Sequence, residues 1–312
     1  MTEVLLFGAT SLVGSHFAEE SATELDLTVA GRRAPRGNLR VRRFEEIDVT
    51  DLSALRDRVR SGAETVVVNF AARTDVDGVE RERPAEVPTA GVASDAFRVN
   101  ALAPEAMAQG AASAGKAFVT ISTDFVFDGR RGPYAEEDRP DPFGPEVSWY
   151  GWTKGEGERR VRDAHPGATI LRISYPFRPP YDGKPDFAGW IRARAASGGL
   201  PPMYTDQQIT PTWIPDVTRT LRALVAEPRP GTIHIASPTP TTPFEFASYL
   251  LGLEPGTYPP VVPGSLAARL REPGVTPRPI RGGLRLARVA GGPAATPWDA
   301  ALRMARGVSG PR

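Results

Sequence analysis

The 312-residue sequence contains no cysteine. That absence excludes disulfide frameworks, thiolate metal sites and cysteine nucleophiles. It also lacks a long apolar run. The apolar start Val4-Leu5-Leu6-Phe7 is broken by Gly8 and has no basic stretch before it, so it suits neither a signal peptide nor a membrane span. No charge dominates: 38 basic residues oppose 37 acidic ones, for a formal net charge of +1. With no block of like charge, there is no electrostatic reason to expect a nucleic-acid backbone or a membrane surface as partner. Histidine is scarce, and His16, His165 and His234 do not follow metal-ligand spacing, so no metal is expected. Lysine is scarcer than arginine by a wide margin, which makes Lys116, Lys154 and Lys184 conspicuous. A cytoplasmic enzyme is the default expectation.

What remains is a globular composition, 40% hydrophobic and 24% charged, long enough for about two domains. Short apolar runs alternate with helical periodicity through the first half. Strands are expected at Val4 to Phe7, Leu27 to Ala30, Val41 to Phe44, Thr65 to Asn69, Phe118 to Ser122 and Thr169 to Arg172. Helices are expected at Leu12 to Glu20, Leu52 to Arg60, Ala96 to Ala114 and about Tyr150 to Asp163. This alternation specifies an α/β fold, a doubly wound, Rossmann-like parallel sheet. After Arg172 proline and glycine become dense, and a second, smaller region begins. Its expected helices are Phe187 to Ala196, Ile214 to Ala226, Pro243 to Leu251 and Pro297 to Arg306, with a strand at Thr232 to Ile235. The expected division is a dinucleotide-binding domain over 1–173 and a mainly substrate-binding region over 174–312, some of whose elements return to the first domain.

Gly8-Ala9-Thr10-Ser11-Leu12-Val13-Gly14 follows the first strand and opens a helix. A strand, a tight glycine turn and a helix N-terminus present unpaired N–H groups and a positive dipole end to a pyrophosphate. Ser11 occupies the place of the usual middle glycine. The second strand ends in Gly31-Arg32-Arg33, where a carboxylate would normally bind the adenosine ribose. Guanidinium groups there suit a 2′-phosphate, which favours NADPH, with NADH the lesser alternative. The competing reading is a solvated basic loop that also includes Arg36, Arg40, Arg42 and Arg43. Asp48 is expected near the adenine edge, and Phe70, Ala71 and Ala72 beneath the cofactor.

Tyr150 and Lys154 are four residues apart, which on a helix places them on one face. A nearby ammonium group favours a phenolate and is expected to lower the tyrosine pKa toward the working range. Ser122 and Thr123 lie at the carboxyl end of the fifth strand, where an open parallel sheet binds ligands, so a hydroxyl there could hold a substrate carbonyl.

Together these stretches resemble an extended short-chain dehydrogenase/reductase, most closely the dTDP-4-dehydrorhamnose reductase group. The resemblance rests on the Gly8 to Gly14 turn, on Asn69-Phe70-Ala71-Ala72-Arg73-Thr74-Asp75-Val76-Asp77 with Glu80 and Pro84, and on Val99-Asn100-Ala101. It continues through Ser122 to Gly129, Tyr150 with Lys154, and Asp206-Gln207 before Pro211-Thr212. It implies catalytic roles for Thr123, Tyr150 and Lys154, with Asn100 in support. The implied cofactor contacts are Gly8, Thr10, Ser11, Leu12, Val13, Gly14, Arg32, Arg33, Asp48, Val49, Phe70, Ala71, Ala72, Tyr150 and Lys154. The implied substrate contacts are Thr74, Val76, Asp124, Phe125, Asp206 and Gln207, to a nucleotide-diphosphate sugar, with Lys184, Arg192 and Arg194 as further candidates for its diphosphate. Phe125 stands where that group usually carries tyrosine, and Tyr175-Pro176-Phe177 replaces a segment that usually contains tryptophan. Members of the group often form homodimers. The implied activity is NADPH-dependent reduction of a 4-keto-6-deoxy sugar. Two alternatives stay open: a cofactor-binding regulatory subunit like the beta subunit of methionine adenosyltransferase, and a nucleotide-sugar epimerase.

Overall fold

The protein is described from a computed structural model, which covers residues 1–35, 41–86, 94–181, 183–254, 256, 258–286 and 295–307. In its first half, β1 (Thr2–Phe7), β2 (Leu25–Gly31), β3 (Arg43–Glu46), β4 (Val66–Asn69), β5 (Ala117–Thr123) and β6 (Thr169–Ile173) alternate with helices. These helices are α1 (Leu12–Ser21), α2 (Leu52–Ser61), α3 (Val76–Glu80), α4 (Asp95–Phe97), α5 (Ala103–Ser113) and α6 (Trp149–Ala164). The chain continues through α7 (Phe187–Ala196), β7 (Met203–Tyr204), α8 (Ile214–Ala226), β8 (Gly231–Ile235), α9 (Pro243–Leu253), β9 (Pro263–Gly264), α10 (Leu266–Arg269) and α11 (Trp298–Gly307).

β1 and β4 are apolar on both faces because helices cover the sheet from both sides. All pairings in the main sheet are parallel, in the order β3-β2-β1-β4-β5-β6-β8. The direction of chain winding reverses between β1 and β4, and the carboxyl ends of these strands therefore open a crevice. One face packs Val4, Leu6 and Val68 with Phe17 of α1 and Leu221 of α8. The other packs Leu5, Phe7 and Val67 with Leu55 of α2, Met107 of α5 and Val161 of α6. A separate cluster, including Phe177, Ile191, Trp213, Phe246 and Leu302, joins α7, α9 and α11. Thus β8 and α8 belong to the main sheet and its cover, although they lie late in the sequence. Among the described residues, no helix is long and apolar enough to cross a membrane.

Two expectations need correction. The third strand runs over Arg43–Glu46 rather than Val41 to Phe44, because β2 sets the register Thr28↔Arg43 and an edge strand has little apolar patterning of its own. Arg36 and Arg40 lie outside the described residues. The helix expected over Ala96 to Ala114 is divided by a π-turn at Arg98–Leu102. Asn100 lies in that turn, and its side chain bridges Arg73 and Thr153. The short elements α3, α10, β7 and β9 have too few residues to show periodicity in the sequence.

A buried ion pair joins α6 to the sheet. Arg172 of β6 and Glu158 of α6 are fully and almost fully buried, and they meet through two hydrogen bonds of 2.9 and 2.7 Å. Arg172 also donates to the Asp138 carbonyl at 3.0 Å and lies over the Phe127 ring at 4.9 Å. Its guanidinium can only donate, so Nε2 of His234 accepts at 3.3 Å while His234 Nδ1 donates to the Arg285 carbonyl at 3.0 Å. Burial and the Arg172 charge lower the His234 pKa to about 4. Glu158 is lowered to about 2: burial opposes its charge, and the Arg172 charge and hydrogen bonds prevail. Replacing one member of such a pair leaves the other charge buried without its counterion. Glu158→Gln is expected to reduce unfolding stability by about 3 kcal/mol or more, measured by chemical denaturation at neutral pH. A loss no larger than that of a surface substitution would contradict this account.

Candidate active site

The register aligns Phe7 with Ala30 on one side and Asn69 on the other, so the segments after β1, β2 and β4 emerge at one edge of the sheet. Ser11 caps α1 by accepting from Gly14 N at 3.0 Å, while its own N–H donates to the Gly8 carbonyl at 2.9 Å. Leu12 and Val13, the first two helical residues, have N–H groups without intrahelical acceptors and form an anion-binding end. Gly8 has φ +78°, and a Cβ there would lie 2.6 Å from the Ala71 nitrogen. The turn therefore presses directly on the chain leaving β4. Gly14 is equally constrained, since an added Cβ would approach the Gly8 carbonyl oxygen to 2.3 Å. This cradle fits a dinucleotide pyrophosphate.

Arg32 and Arg33 follow β2, are exposed, and form no salt bridge with a described residue. The charge of Arg32 reaches Asp48, whose carboxyl lies below its ordinary pKa chiefly because the Thr50 amide and hydroxyl donate to it, both at 2.9 Å. Val49 is partly buried on the adjacent core. Phe70 packs against Phe17 of α1 with ring centroids 6.0 Å apart. Ala71 N donates to Asn69 Oδ1 at 2.9 Å, fixing the path through Ala71 and Ala72 beneath the groove.

Across the crevice, Ser148 caps α6 by accepting from Gly151 N at 3.1 Å. The helix start is pressed on the segment after β5, because a Cβ on Gly151 would fall 1.9 Å from the Phe125 oxygen. Tyr150 and Lys154 occupy the buried face of α6, one turn apart, and the Thr123 side chain is near enough to the Tyr150 phenol to act on its pKa. Phe125 meets the Tyr150 ring edge-on at 5.9 Å. Asn100 Oδ1 accepts from Arg73 N at 2.8 Å, and its Nδ2 donates to Thr153 Oγ1 at 3.1 Å. The π-turn thereby connects the β4 exit to the tyrosine-bearing helix.

The electrostatics differ from the sequence expectation. The Tyr150 pKa is raised by burial and by the Asp124 charge, against the hydrogen bond from Thr123. Lys154 does not lower it: its ammonium donates to the Ile121 carbonyl at 2.7 Å. Burial lowers Lys154 itself to about 8, opposed by Glu158. Strand alternation separates Ser122 from Thr123, so Ser122 stands beside Glu158 rather than at the groove.

The family model described as RmlD substrate binding domain matches residues 1–303. The chain belongs to that family. A dTDP-4-dehydrorhamnose reductase of Mycobacterium tuberculosis is 32% identical over 240 residues, 75% of this chain and 69% of that protein. A probable low-salt glycan biosynthesis reductase of Haloferax volcanii is 33% identical over 239 residues, 76% of this chain and 69% of the relative. The beta subunit of methionine adenosyltransferase 2 from Rattus norvegicus is 33% identical over 171 residues, 54% of this chain and 46% of that protein. The fold is shared with a crystal structure of a Clostridium acetobutylicum dTDP-4-dehydrorhamnose reductase at TM-score 0.78 and 24% identity, covering 98% of this chain and 99% of the other.

Within this RmlD-family chain, the residues expected to touch substrate are placed unequally. Thr74 is exposed and Val76 opens α3 at the rim. Asp124 is buried: Ser174 Oγ donates to it at 2.7 Å and Gly283 N at 3.3 Å, and burial raises its pKa to about 6. Its carboxylate secures the C-terminal segment. Asp206 caps α10, accepting from Leu266 N at 2.7 Å and Ser265 Oγ at 2.6 Å. Arg192 pairs with Glu254 at 2.8 Å. Gln207 is buried and donates to the Tyr175 hydroxyl at 3.0 Å and the Pro279 carbonyl at 3.1 Å. Tyr175, with φ +42°, is a residue whose placement the sequence did not disclose. It stacks obliquely on Phe125 at 6.1 Å and extends the wall beside Tyr150. Lys184 and Arg194 are exposed. Gly8→Ala would impose both a left-handed alanine and a backbone collision. The variant is expected to melt at lower temperature and lose dinucleotide binding, measured by calorimetry; full binding would contradict the cradle geometry.

Proposed function

We propose that this chain is an NADPH-dependent reductase of a nucleotide-linked 4-keto-6-deoxy sugar, similar in activity to dTDP-4-dehydrorhamnose reductase. The observation that carries the reading is that Thr123, Tyr150 and Lys154 meet at the same sheet edge as the Gly8–Gly14 cradle and the Arg32-Arg33 pair. Family membership and the similarity to named reductases support it. The wall contributed by residues after 173 takes the nucleotide sugar.

Leu12 and Val13 N–H groups would hold the pyrophosphate at the helix end. Arg32 and Arg33 would hold the adenosine 2′-phosphate through charge-assisted hydrogen bonds. When bound, NADPH supplies the hydride. Thr123 holds the sugar carbonyl oxygen, and Tyr150 gives its proton to the developing alkoxide. The raised pKa suits this direction, because the phenol keeps its proton at neutral pH until a stronger base forms beside it. With the cofactor bound, Lys154 would contact the nicotinamide ribose, and its charge would there favour the phenolate left after proton transfer. The Asn100 bridge holds the segment after β4 against α6 while this occurs.

A regulatory, non-turnover role is the second reading, supported by the similarity to the methionine adenosyltransferase beta subunit. One assay separates them: NADPH consumption with dTDP-, UDP- and GDP-linked 4-keto sugars. Turnover with at least one sugar is expected, and NADPH binding without turnover on any would overturn the reductase proposal. Tyr150→Phe is expected to retain NADPH affinity while losing about 10²–10⁴-fold in turnover; unchanged turnover would remove the assigned acid. Replacing Arg32 and Arg33 with glutamine is expected to weaken NADPH about tenfold while barely changing NADH. Equal weakening of both would reject the 2′-phosphate assignment.

A further inference from the structure

We propose that Asp124 is a positioning residue for Thr123: in the reacting complex its carboxyl carries a proton, hydrogen-bonds through it to the threonine hydroxyl, and so turns the single threonine hydrogen toward the sugar carbonyl. The inference rests on the reductase reading above.

A threonine hydroxyl has one hydrogen to donate and two lone pairs to fill. That of Thr123 accepts from Phe125 N at 3.2 Å and donates to Asp124 Oδ1 at 3.3 Å. With Asp124 ionised, a carboxylate that can only accept keeps this hydrogen. The side of Thr123 toward Tyr150 and the groove is then left with a lone pair, which repels a carbonyl oxygen. Holding the carbonyl requires the hydrogen bond between Thr123 and Asp124 to reverse.

The surroundings of Asp124 allow that reversal at one oxygen. Oδ2 accepts from Ser174 Oγ at 2.7 Å and from Gly283 N at 3.3 Å. An added proton therefore goes to Oδ1, opposite Thr123 Oγ1. The hydroxyl then accepts from both Phe125 N and Asp124, its lone pairs are filled, and its own hydrogen is left for the groove. The Asp124 proton is not consumed, because Tyr150 supplies the one that the alkoxide takes.

Burial brings the neutral carboxyl within reach. Asp124 is 1% exposed, and burial raises its pKa to about 6 against the hydrogen bonds from Ser174, Gly283 N and Thr123. Two phenols on the elements packed against it feel its charge, Tyr150 of α6 and Tyr175 after β6. The cations Lys154, Arg278 and Arg281 on those elements are not paired with it. Lys154 donates to the Ile121 carbonyl at 2.7 Å, Arg278 donates to Asp77 at 2.8 Å, and Arg281 is exposed. A bound sugar excludes more water and offers the threonine hydrogen an acceptor, so the complex favours the protonated carboxyl more than the free protein does.

The competing explanation is a structural carboxylate that only ties the turn after β5 to residues 174 and 283. The two accounts differ in the sign of one substitution. Asparagine holds the proposed form at any pH: its Oδ1 accepts from Ser174 and Gly283, and its Nδ2 donates to Thr123. The test is the pH dependence of NADPH consumption by the full-length protein with a 4-keto sugar. Wild-type kcat/KM is expected to fall about tenfold per unit as pH rises above about 6, with the decline in kcat displaced to higher pH. Asp124→Asn is expected to abolish the decline and to exceed wild type at pH 8 by about tenfold or more, whereas Asp124→Ala falls below wild type at pH 6. In a Thr123→Val background Asp124→Asn is expected to change nothing, because the effect passes through the hydroxyl. A loss with asparagine that matches alanine, a decline that survives in it, or a gain that persists without the hydroxyl would overturn the proposal. Infrared difference spectra between wild type and Asp124→Asn need no turnover. A protonated-carboxyl band that titrates at about pH 6 and shifts in Thr123→Val is expected. A missing band, or one indifferent to Thr123→Val, would refute the role of Asp124 and leave the reductase reading standing wherever a sugar is reduced. The expected band without reduction of any 4-keto sugar would refute that reading and leave the control of Thr123 by Asp124 in place.

Discussion

The arrangement at the sheet edge depends on how α6 is fixed in rotation. Tyr150, Lys154 and Glu158 recur at intervals of four and therefore share one face of the helix. Glu158 is anchored to Arg172 of β6 in a fully enclosed, two-point ion pair, so the residues one and two turns earlier must face the ends of β5 and the crevice. A buried pair of this sort adds little net stability compared with an apolar contact, yet breaking half of it is costly. Here it also sets direction. The helix cannot turn the phenol away from Thr123 without separating a guanidinium from its carboxylate in a place water does not reach.

A second constraint comes from the turn after β1. Gly8 and Gly14 bring backbone against backbone, and Asn69 and Asn100 then hold the neighbouring β4 exit with side-chain hydrogen bonds. The cradle, the floor at Phe70 to Ala72 and the π-turn at Asn100 form one connected structure. The proposed cofactor binding and proton donation would therefore be supported by shared pieces of chain, and the π-turn is the irregularity that lets a single asparagine reach both sides.

The segment around 278–284 completes the other wall. It has no periodic pattern, yet Asp124, Gln207 and Gly129 all contact it. Two aspartates expected from the sequence to touch substrate, Asp124 and Asp206, also accept hydrogen bonds from protein groups. A carboxylate beside a serine or a helix start finds nearby N–H and O–H donors before any ligand is present, and the one-dimensional sequence does not display those donors.

The sequence by itself determined the parallel α/β class, the glycine turn, the arginines after β2 and the four-residue interval between Tyr150 and Lys154. These are local properties: hydrophobic periodicity, backbone freedom and helical spacing require only neighbouring residues. Tertiary structure decided the register of β3, the π-turn, the opposite facing of Ser122 and Thr123, and the inclusion of β8 in the first sheet. It also decided the protonation balance, because Tyr150 is raised and Lys154 lowered by the water that folding excludes around them. Desolvation is a property of the whole packed chain, and no spacing of residues along it specifies how completely a charge will be buried.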